Sequence, residues 1–230
     1  MNARLTWPIA FGLLLIGGVG GVVATRTQTG KPGEPAPESG TAPQDSTTEA
    51  ALLAARTKGS PEAPITVLEI VDFQCPACRM FWEETMPILQ REYVQTGKVR
   101  FVFVNLPLVQ IHRNAAAAHE FAMCAAAQDR FWPVHDMLFD QQSVWAQLDD
   151  PSAYFFSVAT ATGLITDSVD ACVTDGRMRD LIMREAQGVV QAGVQSTPSF
   201  VIERGLMAGA VPIDGWRPIL DSIYETKAGR

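Results

Sequence analysis

The sequence is poor in histidine and in clustered basic residues. Its 230 residues contain three histidines, and 18 lysines and arginines stand against 25 aspartates and glutamates, for a formal net charge of -7. The lysines and arginines form no cluster, which disfavours nucleic acid and anionic lipid as main partners because both bind grouped cations. His112, His119 and His135 have no partner at ligand spacing, so structural roles are expected for all three.

Cysteines are also few, and only one pair is closely spaced. Cys75 and Cys78 are separated by Pro76 and Ala77. A zinc ribbon needs a second such pair, so no metal is expected. Residues 69–82 pass from a strand pattern into a helical pattern, which places the pair at a helix N-terminus. Unpaired N–H groups there stabilise a thiolate, and the pattern predicts a redox site with Cys75 as the exposed nucleophile and Cys78 as the buried resolving thiol.

Long uncharged hydrophobic runs are scarce, and the clearest one is near the N-terminus. It covers residues 5–25. Its length suits a membrane-spanning helix, whereas the small residues at 22–24 suit signal-peptide cleavage after Ala24. Both interpretations predict export. Residues 1–25 are therefore expected to be a signal anchor or a signal peptide, with an uncleaved single-pass anchor favoured.

A proline-rich linker is expected to precede a single folded domain. Residues 26–57 form this linker, which is flexible up to residue 45 and then contains a short helix at 46–56 with a capping box of Ser46 and Glu49. The domain covers 58–226, and 227–230 form a C-terminal tail. Patterns within the domain predict a strand at 65–71, a helix at 76–96 and a strand at 99–105, followed by helices at 113–128, 130–141, 151–162, 167–174 and 178–192, strands at 199–203 and 206–211, and a helix at 214–226.

Separated pieces of this sequence together resemble a known family. They are APITV at 63–67 leading to DFQCPAC at 72–78, FWPVHD at 131–136, and GVQSTPSF at 193–200. On these motifs residues 58–226 resemble the DsbA-like thiol-disulfide oxidoreductases. The resemblance implies an α/β thioredoxin fold, built as β-α-β, a helical insertion and then β-β-α.

The resemblance also implies how a substrate is held. Pro198 would be a cis proline across from the cysteines, and Thr197 would offer backbone groups to an extended substrate segment. Pro76 and Ala77, between the two cysteines, would adjoin the same substrate.

Further roles follow from the resemblance for one acid and two more cysteines. Glu69 matches a buried acid beneath the disulfide, which would relay a proton from Cys78. The alternative is that Glu69 faces water on its strand. Cys124 and Cys172 lie where some relatives carry a second, structural disulfide, and two buried free thiols are the alternative.

The activity implied is that of an exported, membrane-tethered oxidase of reduced or unfolded proteins. A quinone-linked membrane protein of the DsbB or vitamin K epoxide reductase type would reoxidise it, and no bound cofactor is required. The Pro-Ala dipeptide lacks the histidine of the strongly oxidising members, so a less extreme oxidant is expected. An exported reductase or isomerase, or a peptide-binding chaperone, remains the alternative.

Overall fold

The computed structural model of the protein describes residues 46–229. The predicted signal or anchor segment at 1–25 and the linker up to residue 45 lie outside the described residues. Across residues 46–229, none of the helices combines the length and the apolar character that crossing a membrane needs.

A five-stranded sheet forms the centre of the domain, with the strand order β1-β3-β2-β4-β5. Its strands are β1 Thr57–Lys58, β2 Ile65–Val71, β3 Val99–Asn105, β4 Ser199–Ile202 and β5 Gly205–Ala208. β2 and β3 are parallel, and the other pairs are antiparallel. The predicted spans of β2 and β3 are confirmed, because runs of β-branched and aromatic residues with turn signals at both ends are clear strand patterns. β1 was not predicted.

The crossover from β2 to β3 is a continuous helix, here called the dithiol helix, covering residues 76–94. It consists of α2 Pro76–Met80, a π-helical turn Phe81–Thr85, α3 Met86–Leu89 and a second π-helical turn Gln90–Val94. Pro87 lies in the first turn of α3. A proline cannot donate to the preceding turn, and the helix departs from α geometry on both sides of the segment that contains Pro87.

The helical insertion lies between β3 and β4. It comprises α4 Ala115–Ala126, α5 Phe131–Asp140, α6 Gln142–Trp145, α7 Ser152–Ala161, α8 Thr166–Thr174 and α9 Arg179–Gln191. After β5 the chain forms α10 Ile213–Ala228. The predicted order of β-α-β, helical insertion and β-β-α is therefore confirmed, and the short helix α6 is an addition to it.

Different helices cover the two faces of the sheet. On one face Ile65 packs with Phe81 of the dithiol helix and Trp216 of α10. On the other face Ile70 packs with Val189 of α9. The insertion forms its own large core, which reaches the carboxyl end of β2 at Val71. Such an edge, where strands end and helices begin, is where open α/β sheets place their sites.

Helix α1, Ser46–Ala55, precedes the sheet and packs on the domain. Leu52 is buried in the insertion core. Arg56, also buried, donates to Glu185 Oε2 at 2.8 Å and to the Phe103 carbonyl at 3.0 Å. The packed unit thus includes residues that were predicted to belong to the linker, because one apolar side chain and one arginine anchor them across long sequence separations.

Candidate active site

Cys75 and Cys78 lie where β2 leads into the dithiol helix. Cys75 occupies the N-cap with an extended backbone, Pro76 follows in the first turn, and the Arg79 amide donates to the Cys75 carbonyl at 3.2 Å. Proline is tolerated at this point because its missing N–H is not needed. Both cysteines are free and buried, with 7% of Cys75 and 2% of Cys78 exposed. Cys75 is therefore the more accessible thiol, yet it is less exposed than the sequence suggested.

The two thiols have opposite pKa shifts. The pKa of Cys75 is lowered from 9.0 to about 6, first by the hydrogen bond from the Cys78 thiol and then by Thr197 and the N–H groups of Ala77 and Cys78, which together outweigh burial. Burial raises the pKa of Cys78 well above its ordinary value, and the Cys75 charge adds to this effect. Near neutral pH the pair holds one proton, on Cys78. This is the division between a nucleophile and a resolving thiol.

The segment before β4 covers Cys75. The Thr197-Pro198 peptide bond is cis. The Thr197 carbonyl lies 3.3 Å from Cys75 Sγ and accepts the hydrogen bond of the Cys75 thiol while that thiol is protonated. Both Thr197 and Pro198 are buried. The structure thus brings together the predicted residues Cys75, Pro76, Ala77, Cys78, Thr197 and Pro198 at one end of the sheet.

A buried carboxylate holds the loop that precedes the cysteines. Asp72 is fully buried, and its Oδ1 accepts the Gln74 amide at 2.7 Å. Its Oδ2 accepts the Leu108 amide and His112 Nδ1, each at 2.8 Å. The Cys75 amide donates to the Asp72 carbonyl at 3.1 Å. Asp72 therefore fixes the loop against the segment after β3.

Two glutamines hold the same loop from the side of the insertion. Gln142 Nε2 donates to the carbonyls of Phe73 at 2.7 Å and Cys75 at 3.0 Å. Gln74 donates to the Ala146 carbonyl at 3.0 Å and accepts the Asn114 amide at 2.8 Å. Gln142 was not predicted as a site residue, since a glutamine 67 residues beyond Cys75 carries no local signal.

The buried histidines serve as structural hydrogen-bonding groups, as the sequence suggested. His119 Nε2 accepts the Phe73 amide at 3.4 Å, and its Nδ1 donates to Asn105 Oδ1 at 2.7 Å. Burial lowers the pKa of His119 to about 4, which keeps it neutral. His135 Nδ1 lies 2.8 Å from Asp136 Oδ1. Throughout residues 49–229, no three His, Cys, Asp or Glu side chains group in a way that holds a metal ion.

Glu69 lies in the middle of β2, between Phe103 of β3 and Phe200 of β4. It is buried, not facing water, and its Oε2 has no hydrogen-bond partner. Burial raises the pKa of Glu69 to about 8, although Lys58 acts in the opposite direction. Side chains alternate along a strand, so Glu69 shares its face with Val71, which packs in the core that contains both cysteines.

Cys124 and Cys172 form a disulfide with an S–S distance of 2.06 Å. It joins α4 to α8 inside the insertion. Both residues are buried. The bond therefore links two helices of the insertion core.

Comparisons with known proteins agree with this architecture. A family model described as Thioredoxin matches residues 53–222. Disulfide bond formation protein D of Bacillus subtilis is 33% identical over 84 residues, which are 36% of this chain and 38% of that protein. The Na(+)/H(+) antiporter NhaA 3 of Salinispora tropica is 31% identical over 145 residues, which are 63% of this chain and 21% of that protein. The chain thus covers well under half the length of these two relatives.

A solved structure shows the same fold. The crystal structure of alpha-DsbA1 from Wolbachia pipientis has a TM-score of 0.67 at 21% sequence identity, and the match covers 75% of this chain and 92% of that one. The family model covers more than half of the sequence and includes both cysteines. The resemblance to DsbA-like proteins is therefore confirmed, and the chain belongs to the thioredoxin family.

Proposed function

We propose that this protein is an exported thiol-disulfide oxidoreductase that oxidises the thiols of reduced or unfolded client proteins. The observation that carries the proposal is the opposite pKa shift of its two thiols, with Cys75 lowered to about 6 and Cys78 raised. A stabilised Cys75 thiolate favours the reduced form of the pair, so the oxidised form readily transfers its disulfide to a client dithiol.

The exchange proceeds in two balanced steps. A client thiolate attacks Cys75 Sγ, the Cys75–Cys78 bond breaks, and Cys78 leaves as a thiolate that takes up a proton. A second client thiolate then attacks the client sulfur of the mixed disulfide, and Cys75 leaves as a thiolate. The client loses two electrons and gains a disulfide, while the protein becomes a dithiol. A leaving thiol of low pKa leaves faster, which suits Cys75.

Glu69 is proposed as the proton donor to Cys78. A carboxyl with a pKa of about 8 is mostly protonated at neutral pH, so it has a proton to give. No direct hydrogen bond joins Glu69 to either cysteine within residues 49–229. The transfer therefore needs an intervening water or a small movement of the side chain.

The client segment is proposed to lie along Thr197 and Pro198, next to Pro76 and Ala77. The Thr197 carbonyl, 3.3 Å from Cys75 Sγ, is placed to accept a backbone hydrogen bond once the thiol proton is lost. An extended segment bound in this way adds main-chain hydrogen bonds that do not depend on its sequence. Such binding suits unfolded clients of many kinds.

Export and reoxidation complete the proposal. The hydrophobic run at residues 5–25 and the Cys124–Cys172 disulfide both support an extracytoplasmic location, since structural disulfides persist in oxidising compartments. The reduced dithiol then needs an acceptor for two electrons. A quinone-linked membrane protein of the DsbB or vitamin K epoxide reductase type supplies that chemistry.

The test is the equilibrium reduction potential of the full chain against glutathione, with Cys75→Ser and Cys78→Ser as controls in an assay that oxidises reduced ribonuclease A. We expect a potential well above the value of about -270 mV typical of thioredoxin, and loss of oxidation in both variants. A potential at or below that value would instead make the protein a reductase. If the Cys75→Ser variant still protects unfolded client proteins, the result would favour a peptide-binding chaperone.

A further inference from the structure

A polar groove of about 700 Å³ opens beside Cys75. Its lining includes Gln74, Pro76, Arg79, His112, Arg113 and Gln142, and these residues define what is here called the arginine groove. Gln74 and Pro76 are the direct chain neighbours of Cys75. A client cysteine joined to Cys75 therefore carries its own neighbouring residues past this groove.

The arginine groove presents positive charge in a chain of net charge -7. Arg79 and Arg113 line it, and no carboxylate of the described residues does. Asp149, which pairs with Arg113 at 2.9 Å, is 98% exposed outside the lining. Glu83 approaches Arg79 only to 3.9 Å. Arg113 Nη2 also donates to the Gln147 carbonyl at 2.8 Å. Each guanidinium group carries five N–H donors, so both retain donors for an incoming acceptor.

Two of the amides that line the groove, those of Gln142 and Gln74, are already occupied. Gln142 donates to two backbone carbonyls, and Gln74 uses both its oxygen and its nitrogen. His112 donates to the buried Asp72. Neutral side chains of a client find Ser143 and the Gln147 amide, whereas a carboxylate also meets two guanidinium groups, whose planar donors suit carboxylate oxygens.

We infer that the arginine groove selects clients in which an acidic residue lies close in sequence to the reactive cysteine. The separation is at most about three residues, because an extended client segment of that length reaches across the groove. This inference rests on the proposed function and narrows its substrate class. The attraction between partly solvated charges predicts a preference of about threefold to tenfold in rate at low salt, and it weakens as the Debye length shortens.

The test uses dithiol peptides that are identical except for one Asp, Asn or Lys beside the first cysteine. The oxidised full chain should oxidise the Asp peptide fastest and the Lys peptide slowest, and the three rates should converge in high salt. Arg113→Gln should lower the ratio of the Asp-peptide rate to the Asn-peptide rate. Arg204→Gln, which removes an exposed arginine in the β4–β5 turn, should leave the preference intact. Equal rates for the three peptides would overturn the inference.

A second measurement separates this inference from the proposed direction of exchange. The reduced protein is allowed to attack dithiodiglycolate, whose ends are carboxylates, or cystamine, whose ends are ammonium groups. In each case Cys75 forms a mixed disulfide, Cys78 resolves it, and two small thiols are released. The rate ratio of dithiodiglycolate to cystamine should fall severalfold in Arg113→Gln and stay constant in Arg204→Gln. An unchanged ratio in Arg113→Gln would refute the inferred charge selectivity of the arginine groove, even if the protein proves to be a reductase.

Discussion

Replacing Glu69 by glutamine should stabilise the protein, although it alters a buried residue of the central strand. The carboxyl lies between β3 and β4, and burial raises its pKa from 4.5 to about 8. Its Oε2 has no hydrogen-bond partner. At pH values above 4.5 the Glu69 carboxyl is ionised in the unfolded chain. In the folded chain it must either stay protonated or place a buried charge in the sheet. Glutamine has nearly the same shape and does not ionise, so it removes this free-energy cost.

The size of the effect follows from linkage. A raised carboxyl pKa lowers stability as pH rises between the unfolded and folded values, by about 1.4 kcal/mol per pH unit. For a shift from 4.5 to about 8, the penalty is absent below pH 4.5, reaches about 3 kcal/mol at pH 7 and levels off near 5 kcal/mol above pH 8. The stability difference between Glu69→Gln and the parent chain should grow along this curve.

Urea unfolding of the oxidised protein at several pH values between 4 and 9 measures this curve. Glu62→Gln, an exposed carboxyl before β2, is the matched control and should show no comparable trend. Lys58→Met should extend the dependence in the parent to higher pH, because Lys58 lowers the pKa of Glu69. A Glu69→Gln variant whose advantage stays constant from pH 5 to pH 8 would refute the reasoning, and one that is less stable at pH 8 would indicate an ionised Glu69 paired with Lys58.

Three further predictions concern the dithiol, the insertion and the loop. Because the pKa of Cys75 is lowered to about 6, its thiolate stabilises the reduced form above about pH 6, and this stabilisation is lost as pH falls through 6. The reduction potential should therefore change by about 59 mV per pH unit below pH 6 and by about 30 mV per pH unit above it. A single slope through pH 8 would contradict the lowered pKa. Replacing Cys124 and Cys172 by alanine should lower the free energy of unfolding by about 4 kcal/mol for a separation of 48 residues, with peptide oxidation retained; loss of oxidation in the folded variant would assign the bond a catalytic part. Gln142→Ala should destabilise by about 2 kcal/mol or more, since two buried backbone carbonyls lose their donor, while Gln191→Ala at the exposed end of α9 should be neutral in the same urea titration.

The fold was predictable where a periodic pattern and a clear end signal occur together. The strand at 65–71 is β-branched and bounded by Pro64 and Asp72, and the strand at 99–105 follows Gly97, so both were predicted to the residue. β1 has two residues, which is too short for any period to show. The π-helical turns at 81–85 and 90–94 were also invisible, because an apolar stripe at helical spacing does not distinguish one extra residue in a turn.

The chemistry of the site was predictable from the sequence, whereas the residues that hold the two cysteines in place were not. Two cysteines at a helix start are a local motif, and their pKa order follows from position in the first turn. The groups that hold them are not local: Gln142 is 67 residues from Cys75, and His119 is 46 residues from Phe73. Glutamine and histidine in a helical pattern have no spacing that identifies such a role, so only the fold reveals it.

The two acids that precede the dithiol along the chain, Glu69 and Asp72, are arranged so that neither opposes a thiolate on Cys75 near neutral pH. Three N–H donors compensate the charge of Asp72, from Gln74, Leu108 and His112. Glu69 is instead mostly protonated, because its pKa is about 8. The hydrogen bond from Cys78 and the N–H groups of the first turn therefore dominate at Cys75. Above about pH 8 Glu69 ionises, and its negative charge then disfavours the thiolate. The advantage of the reduced form should weaken there in the parent chain and persist in Glu69→Gln.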